Sequence, residues 1–386
     1  MINCTRLLCG KLGFQDEIRY KKGKPADTNR PIVVWNSTRR CNLKCIHCYI
    51  DAKRTQDAGE LTTAQARVLI DDLAQFGAPV FLFSGGEPFI REDLFELGKY
   101  AKSKGLRTVI STNGTLITNA MAKKVKDAGF SYVGISLDGL EATNDKFREQ
   151  KGAFKRTLEG IRNCLKNSVR VGLRFTINKH NFPDLGGIFD LIESEGIPRA
   201  CFYHLVYSGR ASALIKDDLS HKEARDTVDL IFARSRELCA KNKDVEILTV
   251  DNHTDGVYLY LRLRKEDPKR AEEVLELLKI NGGNKSGIGI ADIDNLGNVH
   301  PDQFWRGYTL GNVKERKFSE IWMDESNELL KNLRNRLPLL KGKCAICIFK
   351  DICAGNFRAR AEAVYADIWQ EDPACYLTEE EVLTVR

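Results

Sequence analysis

The chain has 386 residues, 42% hydrophobic and 29% charged, the make-up of an ordinary globular protein with two or three domains. No run of about eighteen apolar residues exists and Met1 to Leu12 carry Arg6 and Lys11 without an apolar stretch, which excludes a spanning helix and a secretion signal and leaves a cytoplasmic protein expected. The formal charge of +7 suits a polyanionic small substrate, and with no Lys/Arg block interleaved with aromatics no nucleic-acid partner is expected.

Residues 1–30 form an N-terminal segment. Between 31 and 250, strand and helix patterns alternate. Strands are expected at 31–36, 80–83, 106–110, 132–137, 169–177 and 199–205, and helices at 61–76, 94–104, 117–128, 154–167, 185–194 and 221–240. Such alternation implies a parallel sheet with helices outside. Six units are too few to close an eight-stranded barrel, so an open, partial (β/α)6 barrel is expected. Polar residues gather just past the strands, in Ser84-Gly-Gly-Glu-Pro88, Ser111-Thr-Asn-Gly114 and Ser136-Leu-Asp-Gly139. In parallel α/β folds binding groups sit at those carboxyl ends.

The pattern changes after residue 250. A linking region, 251–340, holds helices at 269–280 and 327–336 and a hairpin of 289–293 with 297–300 around Asp294-Asn295. Residues 341–386 are led by cysteines and show little periodicity, as in a small region held by a metal.

Twelve cysteines are many for a reducing compartment, where clustered thiols argue for metal or catalysis rather than disulfides. Cys41, Cys45 and Cys48 follow the first strand in a loop. Thiolates select iron–sulfur centres, copper or zinc. Three can cap three irons of a cubane and leave the fourth iron open. Zinc with His47 as fourth ligand, or a redox dithiol of Cys45 and Cys48, are the alternatives on spacing alone. Cys344, Cys347, Cys353 and Cys375 supply the four thiolates that close a cubane, with zinc again the alternative. Cys164 and Cys201 sit in apolar patterns and read as buried hydrophobes. Cys4 and Cys9 are a candidate third site, and Cys239 stands alone.

The first cysteine run, followed in order by Gly85-Gly86-Glu87-Pro88, by Ser111 and Asn113, and by Ser136 and Asp138, resembles the radical S-adenosylmethionine (SAM) superfamily. The resemblance implies a [4Fe–4S] cluster on Cys41, Cys45 and Cys48 whose open iron is chelated by SAM. It implies that Gly85, Gly86 and Glu87 hold the methionyl amine, that Ser111, Asn113, Ser136 and Asp138 contact ribose and carboxylate, and that His47 takes the place of the usual aromatic residue. Arg174 joins this set by its strand-end position. Reductive cleavage of SAM then yields a radical that abstracts a substrate hydrogen. The C-terminal region is similar to the auxiliary-cluster extension of many such enzymes, but with four cysteines it implies one auxiliary [4Fe–4S] cluster, two clusters in all.

Over nearly the whole chain the resemblance is to members that remodel the side chains of iron tetrapyrroles. It is carried by Trp35-Asn-Ser-Thr-Arg-Arg-Cys41, Phe202-Tyr-His-Leu-Val-Tyr-Ser-Gly-Arg210, Asp294-Asn-Leu-Gly-Asn-Val-His-Pro-Asp-Gln-Phe-Trp305 and Cys353-Ala-Gly-Asn-Phe-Arg358, among other stretches. It implies removal of two acetate side chains from 12,18-didecarboxysiroheme to give iron-coproporphyrin III in haem biosynthesis, or action on the propionates of the same substrate toward haem d1. It also implies an electron donor such as a ferredoxin or flavodoxin. Arg39, Arg174 and Arg210 are candidates to pair with substrate carboxylates. Tyr203, His204, Tyr207, His300 and Asp302 are candidates for proton donation or iron ligation. A peptide-modifying member is a further alternative. A non-catalytic iron–sulfur electron carrier is the alternative from another class, and it has no use for Gly85-Gly86-Glu87.

Overall fold

The computed structural model describes residues 1–13, 16–20 and 30–383, so part of the expected N-terminal segment, 21–29, lies outside the described residues. One sheet organises the chain. Its strands are β1 (Ile2–Asn3), β2 (Ile32–Asn36), β3 (Phe81–Ser84), β4 (Thr108–Thr112), β5 (Val133–Ser136), β6 (Val171–Ile177), β7 (Arg199–His204), β8 (Glu246–Val250), β9 (Ile290–Ile293), β10 (Asn298–His300) and β11 (Gly311–Asn312). The spatial order is β1-β8-β7-β6-β5-β4-β3-β2-β9-β10-β11. From β2 to β8 every neighbouring pair is parallel, in sequence order.

The structure extends the expected sheet at both edges. β8 adds a parallel strand beyond the six expected, and β1 caps it antiparallel through Ile2 opposite Thr249. On the other edge β9 pairs in parallel with β2, and β10 and β11 follow antiparallel. The hairpin expected in a linking region therefore belongs to the barrel sheet. The physical reason is that an uncovered β2 edge would leave a row of unpaired backbone groups.

Local signals set the helix ends. Thr62 and Gln65 form a capping box at the start of Thr63–Phe76, and Ser220 and Glu223 form another at His221–Ala240. Along the strands, Val33, Trp35, Phe81, Phe83, Ile110, Val133, Ile135, Leu173, Phe175, Ala200 and Phe202 pack into the core shared with the helices. By the period of two, Asn36, Ser84, Ser111, Ser136, Arg174 and Tyr203 share the opposite, concave face. That places the polar strand-end residues around one opening.

Cys9 is joined to Cys239 by a disulfide that ties the short helix Cys4–Cys9 to the last turn of His221–Ala240. Cys4 lies alone in the core, so the Cys4–Cys9 pair is not a third metal site; Cys164 and Cys201 are buried as expected. No helix among the described residues is long and apolar enough to cross a membrane.

Candidate active site

β2 ends at Asn36 and runs straight into the loop that carries Cys41, Cys45 and Cys48, all three free thiols. Each sulfur has an N–H donor aimed at it. Leu43 N and Ala52 N lie 3.4 Å from the sulfurs of Cys41 and Cys48, and Arg148 Nη1 lies 3.4 Å from that of Cys45. Donors so placed suit sulfurs that carry negative charge in a metal cluster. Burial pushes the Cys41 thiol up to about 12, with Glu87 and the other two cysteines adding to the rise. Metal loading must therefore displace a proton from this sulfur.

The glycine pair seats this loop. Gly85 has φ +129°, and a Cβ there would stand 2.5 Å from Thr38 O; at Gly86 it would stand 2.3 Å from Arg40 O. Two backbone bonds, Gly86 N to Thr38 O at 2.7 Å and Glu87 N to Arg40 O at 2.9 Å, lock the loop after β3 onto the stem of the cysteine loop. The glycines thus serve a close approach of protein to protein.

Glu87 is fully buried. Its carboxylate accepts from Thr112 Oγ1 at 2.8 and 2.9 Å, from Asn113 N at 2.9 Å and from Phe89 N at 3.1 Å. Burial pushes its pKa up to about 7, against the pull of those donors. Three donors, one in the loop after β3 and two at the end of β4, thus hold this carboxylate within the protein. Asn113 bridges to the cysteine loop through Asn42 Oδ1 at 2.9 Å and reaches Cys41 Sγ at 3.9 Å.

Asp138 is likewise spoken for. It accepts from His47 Nε2 at 3.0 Å, from Thr176 N at 2.8 Å and from Arg148 Nη2. Burial alone would raise its pKa, but Arg148 and His47 outweigh that and hold the carboxyl well below the usual range. Arg148 carried no signal in the sequence, because it belongs to no strand-end motif. Arg174 donates to Ser111 Oγ at 2.5 Å, while its buried Nε has no partner among the described residues. Ser136 stays half-buried at the opening.

The expected substrate residues divide. Arg210 donates from Nε to Cys45 O at 2.8 Å and from Nη1 to Ala52 O at 3.0 Å and so braces the cysteine loop, while its buried Nη2 has no partner among the described residues. Arg39 is held by Asp51 O at 2.9 Å and Asp57 at 3.6 Å. Tyr203 stays half-buried on the concave face. His204, its neighbour in β7, must point the other way; its Nε2 meets Asp255 Oδ2 at 2.9 Å, and Asp255 Oδ1 accepts from Tyr376 OH at 2.7 Å. His204 therefore leaves the barrel interior and ties β7 to the C-terminal region. Tyr207 donates to Asp218 at 2.5 Å, His300 bonds Tyr308 O at 2.7 Å, and Asp302 accepts from Ser286 and from Phe304 N at 2.9 Å.

Sequence reasoning missed an interior acid. Asp292 of β9 is fully buried, accepts from Asn36 Nδ2 at 2.8 Å, and leaves Oδ2 without a partner among the described residues. Burial pushes its pKa up to about 8; His300 and Arg306 pull it down and Asp294 pushes it further up. A raised acid stabilises the fold below its unfolded value and loses that contribution as pH climbs through the folded one. In metal-free protein, thermal stability should fall between about pH 4 and 8 more steeply in the wild type than in Asp292→Asn. Equal slopes in a pH series of melting temperatures would contradict this assignment.

Cys344, Cys347, Cys353 and Cys375 line one cavity with Thr254, Lys343, Phe349 and Asn356. Phe349 N lies 3.4 Å from Cys347 Sγ. Burial raises the Cys353 thiol, and the other three sulfurs add to the rise. The four thiols thus share one space, although they are drawn from separate short helices and the loop after 370.

The radical SAM superfamily matches residues 35–192, from β2 through helix Leu185–Ser194. The Fe-coproporphyrin III synthase of Methanosarcina barkeri is 56% identical, covering 99% of this chain and 99% of its own. The pre-heme d1 synthase of Dinoroseobacter shibae is 43% identical over 95% of this chain and 90% of its own. Among solved structures, Streptococcus suis SuiB bound to S-adenosylmethionine superposes with a TM-score of 0.72 at 16% identity, over 90% of this chain and 78% of that one; at that identity it speaks to the fold alone. A barrel whose first strand delivers three thiols beneath a glycine-seated loop, in a chain this close to such relatives over its full length, belongs to the radical SAM superfamily.

Proposed function

We propose that the chain removes the two acetate side chains of 12,18-didecarboxysiroheme, giving iron-coproporphyrin III in haem biosynthesis. The observation that carries this is the 56% identity to Fe-coproporphyrin III synthase, spread over 99% of both chains. A second reading, action on propionates toward haem d1, rests on the 43% identity to pre-heme d1 synthase.

Cys41, Cys45 and Cys48 would hold a [4Fe–4S] cluster, and the thiols of Cys344, Cys347, Cys353 and Cys375, which line one cavity, supply the four ligands that a second, auxiliary one needs. When bound beside the first cluster, SAM would supply one-electron radical chemistry directed at a substrate C–H bond. Of the residues expected around SAM, Ser136 stands half-buried at the opening and Ser111, which accepts from Arg174, keeps its hydroxyl hydrogen to give, while Glu87, Asp138 and the Gly86 N–H are engaged within the protein. Arg174, with its orphaned Nε, is the interior cation suited to a carboxylate of SAM or substrate. Tyr203 lies on the same face and is the proposed proton donor there. A ferredoxin or flavodoxin would supply electrons, and the cytoplasm is the proposed compartment.

The test is anaerobic incubation of the reconstituted chain with 12,18-didecarboxysiroheme, SAM and dithionite, read by mass spectrometry. Loss of both acetates is expected. Oxo-bearing rings would assign the haem d1 reading. An unchanged tetrapyrrole beside cleaved SAM would defeat both.

A further inference from the structure

The middle of the cysteine loop hangs on one helix end. Helix Glu141–Phe147 stops at Phe147, whose carbonyl accepts from Ile46 N at 3.0 Å and whose ring meets the His47 ring edge-on at 5.4 Å. Arg148 is the next residue. It is 6% exposed, and its backbone N–H still closes the helix on Asn144 O at 2.9 Å.

The Arg148 guanidinium is divided between two partners. Nη2 meets Asp138, while Nη1 lies 3.4 Å from Cys45 Sγ. Asp138 does not depend on Arg148 for its hydrogen bonds, since Thr176 N and His47 Nε2 also donate to it. Its geometry holds the fork so that the second nitrogen reaches the sulfur. At the sulfurs of Cys41 and Cys48 the donors among the described residues are neutral: the backbone of Leu43 and Ala52 and the amide of Asn113. Among the described residues Cys45 alone has a full positive charge in hydrogen-bond range.

We infer that Arg148 is a positioning residue that sets the reduction potential of the cluster on Cys41, Cys45 and Cys48, with Asp138 as its counterweight. The inference rests on the proposed cluster ligation. Adding one electron to a cubane adds one negative charge, spread over irons and sulfurs, and potentials follow net charge and hydrogen bonds to the sulfurs. Cys45 is 9% exposed, so little water screens the Arg148 charge there. Arg148 favours the reduced state. Asp138 opposes it and limits the effect, so the two residues act with opposite sign.

The experiment is a mediated redox titration of the reconstituted chain without SAM or substrate, followed by electron paramagnetic resonance. The first cluster is identified as the signal that SAM addition alters; a wild type without such a signal would overturn the ligation reading and this inference with it, whereas a signal that the variants leave unmoved would overturn this inference alone. In Arg148→Gln, at the wild-type midpoint, the reduced-to-oxidised ratio should drop by about tenfold, equivalent to ~59 mV for one electron. Arg148→Lys should recover most of that shift, because it keeps the charge. Asp138→Asn should move the midpoint the other way. The signal that SAM leaves unchanged should stay put in all three. An unmoved midpoint in both Arg148→Gln and Asp138→Asn, or shifts of the same sign, would overturn the inference. Should Arg148→Gln load poorly with iron, Arg148→Lys and Asp138→Asn decide it on their own signs.

Discussion

Gly86→Ala should empty the first thiol site and leave the rest of the fold standing. The new Cβ would meet Arg40 O at 2.3 Å, Arg40 C at 2.7 Å and Arg39 O at 2.8 Å. These are backbone atoms immediately before Cys41, so no side-chain rotation relieves them. The bonds from Gly86 N and Glu87 N to Thr38 O and Arg40 O prevent either loop from sliding along the other. Overpacking of this kind costs ~1–3 kcal/mol, and displacement of a reacting site by about 1 Å can cost ~100-fold in rate. The expected result is loss of about half the bound iron, the four of one cubane out of two, with SAM cleavage down ~100-fold or more. Iron and sulfide analysis and chromatography of 5′-deoxyadenosine read both. Gly186→Ala, in helix Leu185–Ser194 with open space at its Cβ, is the matched control. Full iron and undiminished cleavage in Gly86→Ala would show that the glycine seat is not what holds the cysteine loop.

The elements that local pattern determines were legible in the sequence. The six strand–helix units, the hairpin around Asp294 and Asn295, and both cysteine groups follow from periodicity, turn residues and spacing, which act within a few residues. What escaped depends on distant partners. β9 is a strand of the barrel because β2 offers it an edge, and no local pattern reports that pairing. β8 is buried along its whole length and lacks the alternation that marks a half-exposed strand. In the site, a carboxylate within a motif announces that a partner is needed without saying which. Glu87 and Asp138 found theirs in Thr112, Asn113, Arg148 and His47, all inside the chain. The division between Tyr203 and His204 was available in advance, because adjacent residues of one strand face opposite sides. Arg148 was not, since only the folded structure brings a helix end to Cys45.

Breaking the Arg360–Asp372 pair should have the reverse distribution of effects. Both side chains are fully buried, with Arg360 Nε 2.9 Å from Asp372 Oδ1 and Nη2 2.8 Å from Oδ2. Arg360 also donates to Leu205 O at 3.0 Å, just past β7, and to Asp251 O at 2.5 Å, just past β8. Asp372 accepts from Phe357 N at 2.8 Å and Ala374 N at 2.9 Å, on the two sides of the cavity lined by Cys353 and Cys375. The pair therefore fastens the second thiol site to the ends of two barrel strands. Burial alone would raise the Asp372 pKa, but Arg360 outweighs it and holds the carboxyl low, so this group adds stability above its unfolded value and loses it as pH falls into the acid range. Arg360→Gln strands a buried carboxylate and should cost ~3–5 kcal/mol. Calorimetry should show a melting temperature lower by about 5 °C or more. Iron should be lost from the second site, while the signal that SAM alters persists. An apolar pair, Arg360→Met with Asp372→Leu, should regain part of the stability, since no charge is then left unpaired. The orphaned Phe357 and Ala374 N–H groups should keep the recovery incomplete. If Arg360→Gln keeps full second-site iron and melts with the wild type, the C-terminal region is held to the barrel by its apolar contacts and not by this pair.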